Sequence, residues 1–214
     1  ARMWFASIWI FTLKLPWRLG ADFFLRNLLD GDPASNTLSW RWVAGLHTRG
    51  KPYVAQADNI ARFTEERFVP CRQELTQGAV GLEALEPDGL PECKAPRVPI
   101  APQNHIPTAL LLTEEDCRIE DFPVQDLICT TVATLAASTL RSPREAAPLV
   151  AQFEAEALAD VAQRSGHSVT TLQVGASSDL AQWALQSGAQ QIVTPYVPVG
   201  PLRDWLARAK PELD

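Results

Sequence analysis

Two carboxylates, one amide and two indoles lie within thirteen residues of the sequence, beginning at Asp30. Asp30 and Asp32 flank Gly31, a spacing that predicts a tight turn and not a continuing helix. Asn36 and Trp40 follow, four residues apart, so they share one side of the next helix. Such a group can hold a polar ring system by hydrogen bonds beside an aromatic plane. The alternative, which spacing alone favours, is a helix–turn–helix whose tryptophans fill the core.

Four helices are predicted to position these residues: 2–14, 20–29, 33–46 and 57–63. The first is apolar nearly all round, which predicts that it is buried. Pro16 ends it, because a helix seldom continues through the residue before proline. Asp32 is expected to cap the third helix, with Pro33 in its first turn.

The rest of the chain has a different pattern. Residues 71–106 are rich in proline and lack periodicity, which predicts a linker. In residues 107–214 short apolar strands alternate with helices, which predicts a small, mostly parallel sheet covered by helices. The expected strands are 108–112, 127–136, 169–174 and 191–195, and a Ser142–Glu145 capping box, Ser177 or Ser178, and Gly200 open the expected helices. If this domain binds a ligand, the ligand should sit at the strand ends before Glu114, Gly175 and Pro195. The alternative is a structural or docking domain.

Composition excludes several classes of protein. Apolar residues make up 46% and charged residues 21%, as in soluble globular proteins. The longest apolar run, Met3–Leu15, is too short to span a bilayer, so we expect a cytoplasmic protein without a membrane partner. The four cysteines show no Cys-x-x-Cys spacing and the three histidines are scattered, so no metal site is predicted.

Charge is distributed unevenly along the chain. Residues 1–70 hold nine lysines and arginines against six aspartates and glutamates, and residues 71–214 hold ten against nineteen. The basic front part is compatible with phosphate contacts, but solvated helix faces explain it equally well. The candidates are Arg41, Arg49, Lys51, Arg62 and Arg67.

Read with its flanks, the Asp30–Trp42 segment resembles the FAD-binding domain of the photolyase/cryptochrome family. The resemblance covers residues 1 to about 70 and depends on the Asp-Gly-Asp turn, the asparagine four residues later and Trp-x-Trp. It implies that residues 1–70 are the C-terminal part of a helical FAD-binding domain. With the linker over 71–106 and the α/β domain over 107–214 that the sequence pattern predicts, the expected fold class is α + α/β. The chain is thus expected to be a fragment of a bacterial protein. The run from Gly188 to Asp204 faintly resembles the end of the family's antenna domain.

The resemblance also implies roles for individual residues. Cofactor-binding residues would be Arg2, Asp30, Gly31, Asp32, Ser35 and Asn36, with Arg2 paired to Asp30 and Asn36 facing the flavin nitrogen that is protonated on reduction. Trp40 and Trp17 match the inner and middle members of an electron-transfer chain. Met3 and Trp42 match residues that line the pocket for a flipped-out pyrimidine dimer.

Three functions remain open at this point. The first is light-driven, FAD-dependent repair of pyrimidine dimers in damaged DNA, a lyase activity, with a second antenna chromophore possible. The second is a cryptochrome-like blue-light receptor without repair activity. The third is a helical module that binds no flavin.

Overall fold

The computed structural model describes residues 1–90, 92–122 and 126–213. It divides the chain into two compact units, one of Ala1–Leu25 and Asp30–Ala95, the other of Arg26–Leu29 and Pro96–Asp214. The predicted fold class is confirmed: the first unit is helical, and the second holds helices around a four-stranded parallel sheet. The predicted domain boundaries at residues 70 and 106 stay predictions.

The helices of the first part of the chain are α1 (Arg2–Ser7), a π-helical turn (Ile8–Thr12), α2 (Trp17–Asn27), α3 (Pro33–Val43) and α4 (Ala57–Phe63). A buried hydrogen bond of 2.8 Å from the Ala55 N–H to the Ser7 hydroxyl links α1 to the segment before α4. Between α4 and Ala95 the described backbone is mostly irregular, with short 3₁₀ turns at Arg72–Glu74 and Glu83–Leu85.

The first predicted helix is shorter and less buried than expected. It changes to π geometry, where the Leu13 N–H donates to the Ile8 carbonyl at 2.8 Å, and it ends at Thr12. Lys14 then takes a left-handed conformation with φ 57°, which turns the chain before Pro16. Its apolar side chains are not all covered: Phe5 is 38% and Leu13 58% exposed.

The start of α3 confirms the capping prediction. Asp32 lies just before the helix, its carboxylate accepts from the Ser35 N–H at 2.6 Å, and Pro33 occupies the first turn. The helix ends at Val43 and not near residue 46, because Gly45 adopts a left-handed φ of 73° that glycine permits.

In the second unit the four parallel strands are β1 (Pro107–Thr113), β2 (Ile128–Ala136), β3 (Val169–Gln173) and β4 (Gln191–Val193), in the order β3-β2-β1-β4. Helices α5 (Pro148–Arg164), α6 (Ser177–Gln186) and α7 (Pro201–Leu213) cover them. Leu111 faces α6 and α7 through Trp183 and Trp205, whereas Leu112 packs with Leu158 of α5. Alternate residues of β1 therefore face opposite layers, as expected for a buried parallel strand.

Two predicted helix starts in this unit are wrong. Ser142 does not open α5: its hydroxyl accepts from the Arg144 N–H at 3.1 Å in a local turn, and the helix begins at Pro148 after Ala147. Helix α6 follows Ala176, so neither predicted serine precedes it as a cap. At Ser142 the hydroxyl has a use other than capping.

Two neighbouring carboxyl groups, one buried and one half-buried, lie at the carboxyl end of β1. Glu154 of α5 is 4% exposed and accepts hydrogen bonds from the Ala137 N–H, the Ser138 N–H and the Ser138 hydroxyl. Glu114 lies beside it, with the Arg141 guanidinium 3.5 Å away. Burial, and next the nearby Glu154 charge, raise the pKa of Glu114 to about 7.

Glu114 makes the stability of this unit depend on pH. The folded state holds the proton up to about pH 7, whereas the unfolded chain releases it near the ordinary value of 4.5, so stability is fully present below 4.5 and is lost as pH rises through 7. We expect the free energy of unfolding to fall by up to about 3 kcal/mol across that window. Glu114→Gln should remove this dependence in urea titrations followed by circular dichroism between pH 5 and 8.

The matched control is Glu156→Gln, which changes an exposed carboxylate on α5. It should keep the wild-type pH profile. A Glu114→Gln profile with the same slope as the wild type would contradict the assignment of this proton to Glu114.

Candidate functional site

The centre of the first unit is the indole of Trp40, which is 1% exposed. Phe24 meets its ring edge-on at 5.1 Å between centroids, Phe5 at 6.4 Å and Trp9 at 6.3 Å, with interplanar angles of 80° to 86°. Edge-to-face contacts of this kind are the favoured geometry for aromatic pairs. The Trp40 Nε1 is buried and has no hydrogen-bond partner among the described residues. An unpaired buried donor is costly, and such exceptions are expected at functional sites.

Gly20 leaves the space that this ring occupies. A Cβ at Gly20 would clash with three atoms of the Trp40 ring, because even the farthest of them, Cζ2, would lie only 2.9 Å away. The backbone of α2 therefore lies directly against the indole plane of α3. Neither a tryptophan pattern nor helix periodicity predicts this requirement.

The acidic turn before α3 adopts the tight geometry that the sequence predicts. The Asp32 N–H donates to the Asp30 carbonyl across Gly31 at 2.9 Å. The Arg2 guanidinium donates to both carboxylate oxygens of Asp30, at 2.8 and 2.9 Å, which is the pairing that the resemblance implies. Both side chains are more than half exposed, so the ion pair adds at most about 1 kcal/mol to stability. Its consequence is positional, because it orients the Asp30 carboxylate.

Asn36 lies one turn into α3 and is half-buried. Its Nδ2 donates to the Ala21 carbonyl of α2 at 2.8 Å, a contact that fixes the orientation of the amide. The Oδ1 atom is thereby left to act as an acceptor. Ser35, the preceding residue, contributes its N–H to the Asp32 cap.

Trp17 is 8% exposed and lies beside cationic groups. The Arg18 and Arg41 guanidinium carbons are 5.7 and 5.8 Å from its ring centroid. Within the described residues the ring contacts of Trp40 are those with Phe5, Trp9 and Phe24, and Trp17 is not among them. Arg41, the residue after Trp40 in α3, therefore reaches the Trp17 ring of α2.

Arg41 is not available for the phosphate contact considered from sequence. Its two terminal nitrogens donate to the Glu86 carboxylate at 2.9 and 2.7 Å, and its side chain is only 14% exposed. These hydrogen bonds lower the pKa of Glu86, although burial opposes the shift. Glu86 lies in the predicted linker, where no sequence pattern marked it as a partner of α3.

Met3 and Trp42, the residues predicted to line a lesion pocket, are both at the surface. Met3 is 41% and Trp42 40% exposed. The Trp42 ring stacks on Tyr53, with centroids 5.7 Å apart and planes inclined at 29°. This stacking holds the indole in place while one part of its surface stays accessible.

Trp9 is not among the site residues that the sequence resemblance implies. The structure places it in the π-helical turn with its ring against Trp40, Phe5 and Phe23. Its spacing of four residues from Phe5 was the sequence signal that could have placed it on this face.

The described part of the chain contains no cluster of three or more metal-ligating side chains. A helix long and apolar enough to cross a bilayer is also absent from residues 1–90, 92–122 and 126–213.

Comparison with known proteins gives this arrangement its context. Residues 1–74 match the family model of the FAD-binding domain of DNA photolyase. That range contains Trp40 and its ring neighbours Phe5, Trp9 and Phe24, together with the acidic turn, Asn36 and Trp42. This part of the chain is similar to a photolyase FAD-binding domain. The match ends before the parallel sheet.

Individual relatives agree with the family match. The chain is 52% identical over 52 residues to a deoxyribodipyrimidine photo-lyase of Streptomyces griseus, which is 24% of this chain and 11% of the relative. It is 40% identical over 69 residues to that of Vibrio cholerae, which is 32% of this chain and 14% of the relative. The photo-lyase of Escherichia coli K12 is 40% identical over 52 residues, covering 24% and 11%. The chain thus spans only about a tenth of these relatives, and no solved structure matches it.

The contact between Gly20 and Trp40 generates a stability prediction. Gly20→Ala places a methyl group inside the ring position, so we expect a loss of about 1–3 kcal/mol in the free energy of unfolding, the usual cost of overpacking. Urea denaturation followed by tryptophan fluorescence measures it. Gly78→Ala is the matched control, because a Cβ there meets nothing within 4 Å. Equal stability of the two variants would show that Trp40 does not depend on this close approach.

Proposed function

We propose that the first unit is part of the flavin site of a photolyase-type protein that uses light to repair pyrimidine dimers in DNA. The observation that carries the proposal is the coincidence of the photolyase match over residues 1–74 with the organised cluster of Arg2, Asp30, Asn36 and Trp40. A helical packing module has no need of an asparagine amide held by the neighbouring helix or an orphaned indole N–H.

The hydrogen-bond acceptors of this cluster fit the hydroxyl and N–H groups of FAD. The carboxylates of Asp30 and Asp32 are acceptors for sugar-alcohol hydroxyls, and the Asn36 Oδ1 is an acceptor for a ring N–H. Gly31 keeps the turn compact, and the Ser35 backbone adjoins it. When bound, FAD supplies light absorption and one-electron chemistry, for which the protein provides geometry and electrostatics.

The chain's own residues then have distinct tasks. Arg2 orients Asp30, Asn36 presents an acceptor where a ring nitrogen gains a proton, and Trp40 provides an electron from a water-excluded position. Trp17 belongs to the same electron chain in this proposal. The Glu86 carboxylate matters here because it neutralises Arg41, a cation close to the Trp17 ring.

Met3 and Trp42 are proposed to contact the lesion. An indole fixed on Tyr53 can stack on a base that has left the duplex without paying to order itself. Base–aromatic stacking is worth about 1–3 kcal/mol per base. The proposed partner is therefore DNA that carries a pyrimidine dimer, in the cytoplasm.

Repair of a thymine-dimer oligonucleotide by the FAD-loaded, full-length protein tests the proposal. We expect restored thymines under blue light and none in the dark. Trp42→Ala should weaken binding of dimer-containing DNA by about 5- to 150-fold, the equivalent of one lost stack. The flavin absorption spectrum should not change.

Phe68→Ala, which removes another exposed aromatic ring, is the control and should bind like the wild type. A protein that photoreduces its flavin but never restores thymine would be a cryptochrome-like receptor, and the repair proposal would be wrong. A protein that takes up no FAD would leave only the helical module.

A further inference from the structure

Trp9 is placed to exchange electrons with Trp40 directly. The two indoles meet edge-on with centroids 6.3 Å apart, in ring contact and without an intervening side chain. Trp9 also lies beside Phe5 and Phe23, with ring centroids 5.8 and 6.2 Å away and interplanar angles of 24° and 20°. Parallel rings with polarisable faces are favourable neighbours for an indole that carries positive charge.

The backbone holds Trp9 firmly in this position. Its Nε1 donates to the Pro16 carbonyl at 3.0 Å, and its own carbonyl accepts from the Leu15 N–H at 3.0 Å. Both bonds arise because the helix widens into a π turn at Ile8–Thr12 and then ends. Single π turns inside helices are frequent at functional sites.

The surroundings of Trp9 suit a positive charge better than those of Trp17. The Trp9 side chain is half-buried and reaches solvent, whereas Trp40 is 1% and Trp17 8% exposed. Two guanidinium carbons lie 5.7 and 5.8 Å from the Trp17 ring. The one Glu86 carboxylate pairs with both arginines, so a net positive charge remains there and opposes oxidation of that ring. The rings that contact Trp9 are uncharged, and its N–H meets a carbonyl oxygen.

We propose that Trp9 is a second electron donor to Trp40, on a branch that leaves the core by a path other than Trp17. The inference rests on the proposed function of Trp40. A bound flavin would supply the light-driven one-electron oxidation of Trp40, and Trp9 would then pass one electron to the oxidised Trp40 indole. Trp9 becomes a radical cation that keeps its N–H, which is held by Pro16. A thiol in solution returns one electron to Trp9, releases a proton and becomes a thiyl radical.

The first test needs no flavin. Edge-on indoles in contact couple their transitions, so Trp9→Phe should change the near-ultraviolet circular dichroism of the flavin-free protein by removing the Trp9–Trp40 couplet. Trp4→Phe is the matched control: Trp4 is a half-buried indole near Trp9 in the chain, and among the described residues its ring contacts Phe63. The Trp4→Phe spectrum should keep the couplet. Identical losses in the two variants would overturn the proposed contact.

The second test measures flavin photoreduction in the FAD-loaded, full-length protein with a thiol present. Trp17→Phe should retain a measurable yield, and Trp9→Phe added to it should lower that yield by about tenfold or more, because the two branches substitute for one another. Trp4→Phe in the same background should have no effect. A double variant with the yield of Trp17→Phe alone would overturn the branch.

A Trp40→Phe variant separates this inference from the proposal beneath it. If Trp40→Phe photoreduces as well as the wild type, the electron-transfer function of Trp40 is wrong, and the Trp9 branch is wrong with it. If Trp40→Phe is deficient while Trp9→Phe has no effect in either background, only the Trp9 branch is wrong.

Discussion

The first unit depends on the burial of one indole ring against a glycine. Trp40 joins three helical segments: α1 with its π turn through Phe5 and Trp9, α2 through Gly20 and Phe24, and its own helix α3. Burying roughly 200 Å² of aromatic surface is worth about 5 kcal/mol at about 25 cal/mol per Å². Packing of the Trp40 ring against Gly20 sets the distance between α2 and α3. The same distance lets the Asn36 amide reach the Ala21 carbonyl.

The polar groups near the Trp40 ring differ in their exposure to solvent, from fully buried to largely exposed. The Trp40 N–H is fully buried, Asn36 is half-buried, and the Arg2–Asp30 pair is largely in water. A ligand that is aromatic at one end and rich in hydroxyl groups at the other matches that gradient. The Arg41–Glu86 ion pair keeps a further cation neutralised beside Trp17, so the electrostatics of the proposed electron chain involve a segment that is otherwise irregular.

Local sequence signals predicted much of this arrangement. The Asp-Gly-Asp turn, the Asp32 cap and the parallel order of the second unit follow from residue preferences that act over a few positions. Gly20 and Glu86 could not be found in this way, because their importance comes from contacts between segments distant in sequence. For Trp9 the spacing from Phe5 indicated a shared helix face, but not the contact with Trp40. The false capping box at Ser142 shows the converse: a correct local motif was overridden when the helix began at Pro148.

The absorption spectrum of the full-length protein, purified and supplied with FAD, tests the central claim most directly. We expect the protein to retain a flavin absorption band at about 450 nm, the absorption of the oxidised cofactor itself. We also expect Asn36→Ala to shift the band or weaken FAD retention. A wild-type protein that shows only tryptophan absorption after FAD is added and the excess removed would contradict the assignment of this cluster to a flavin site.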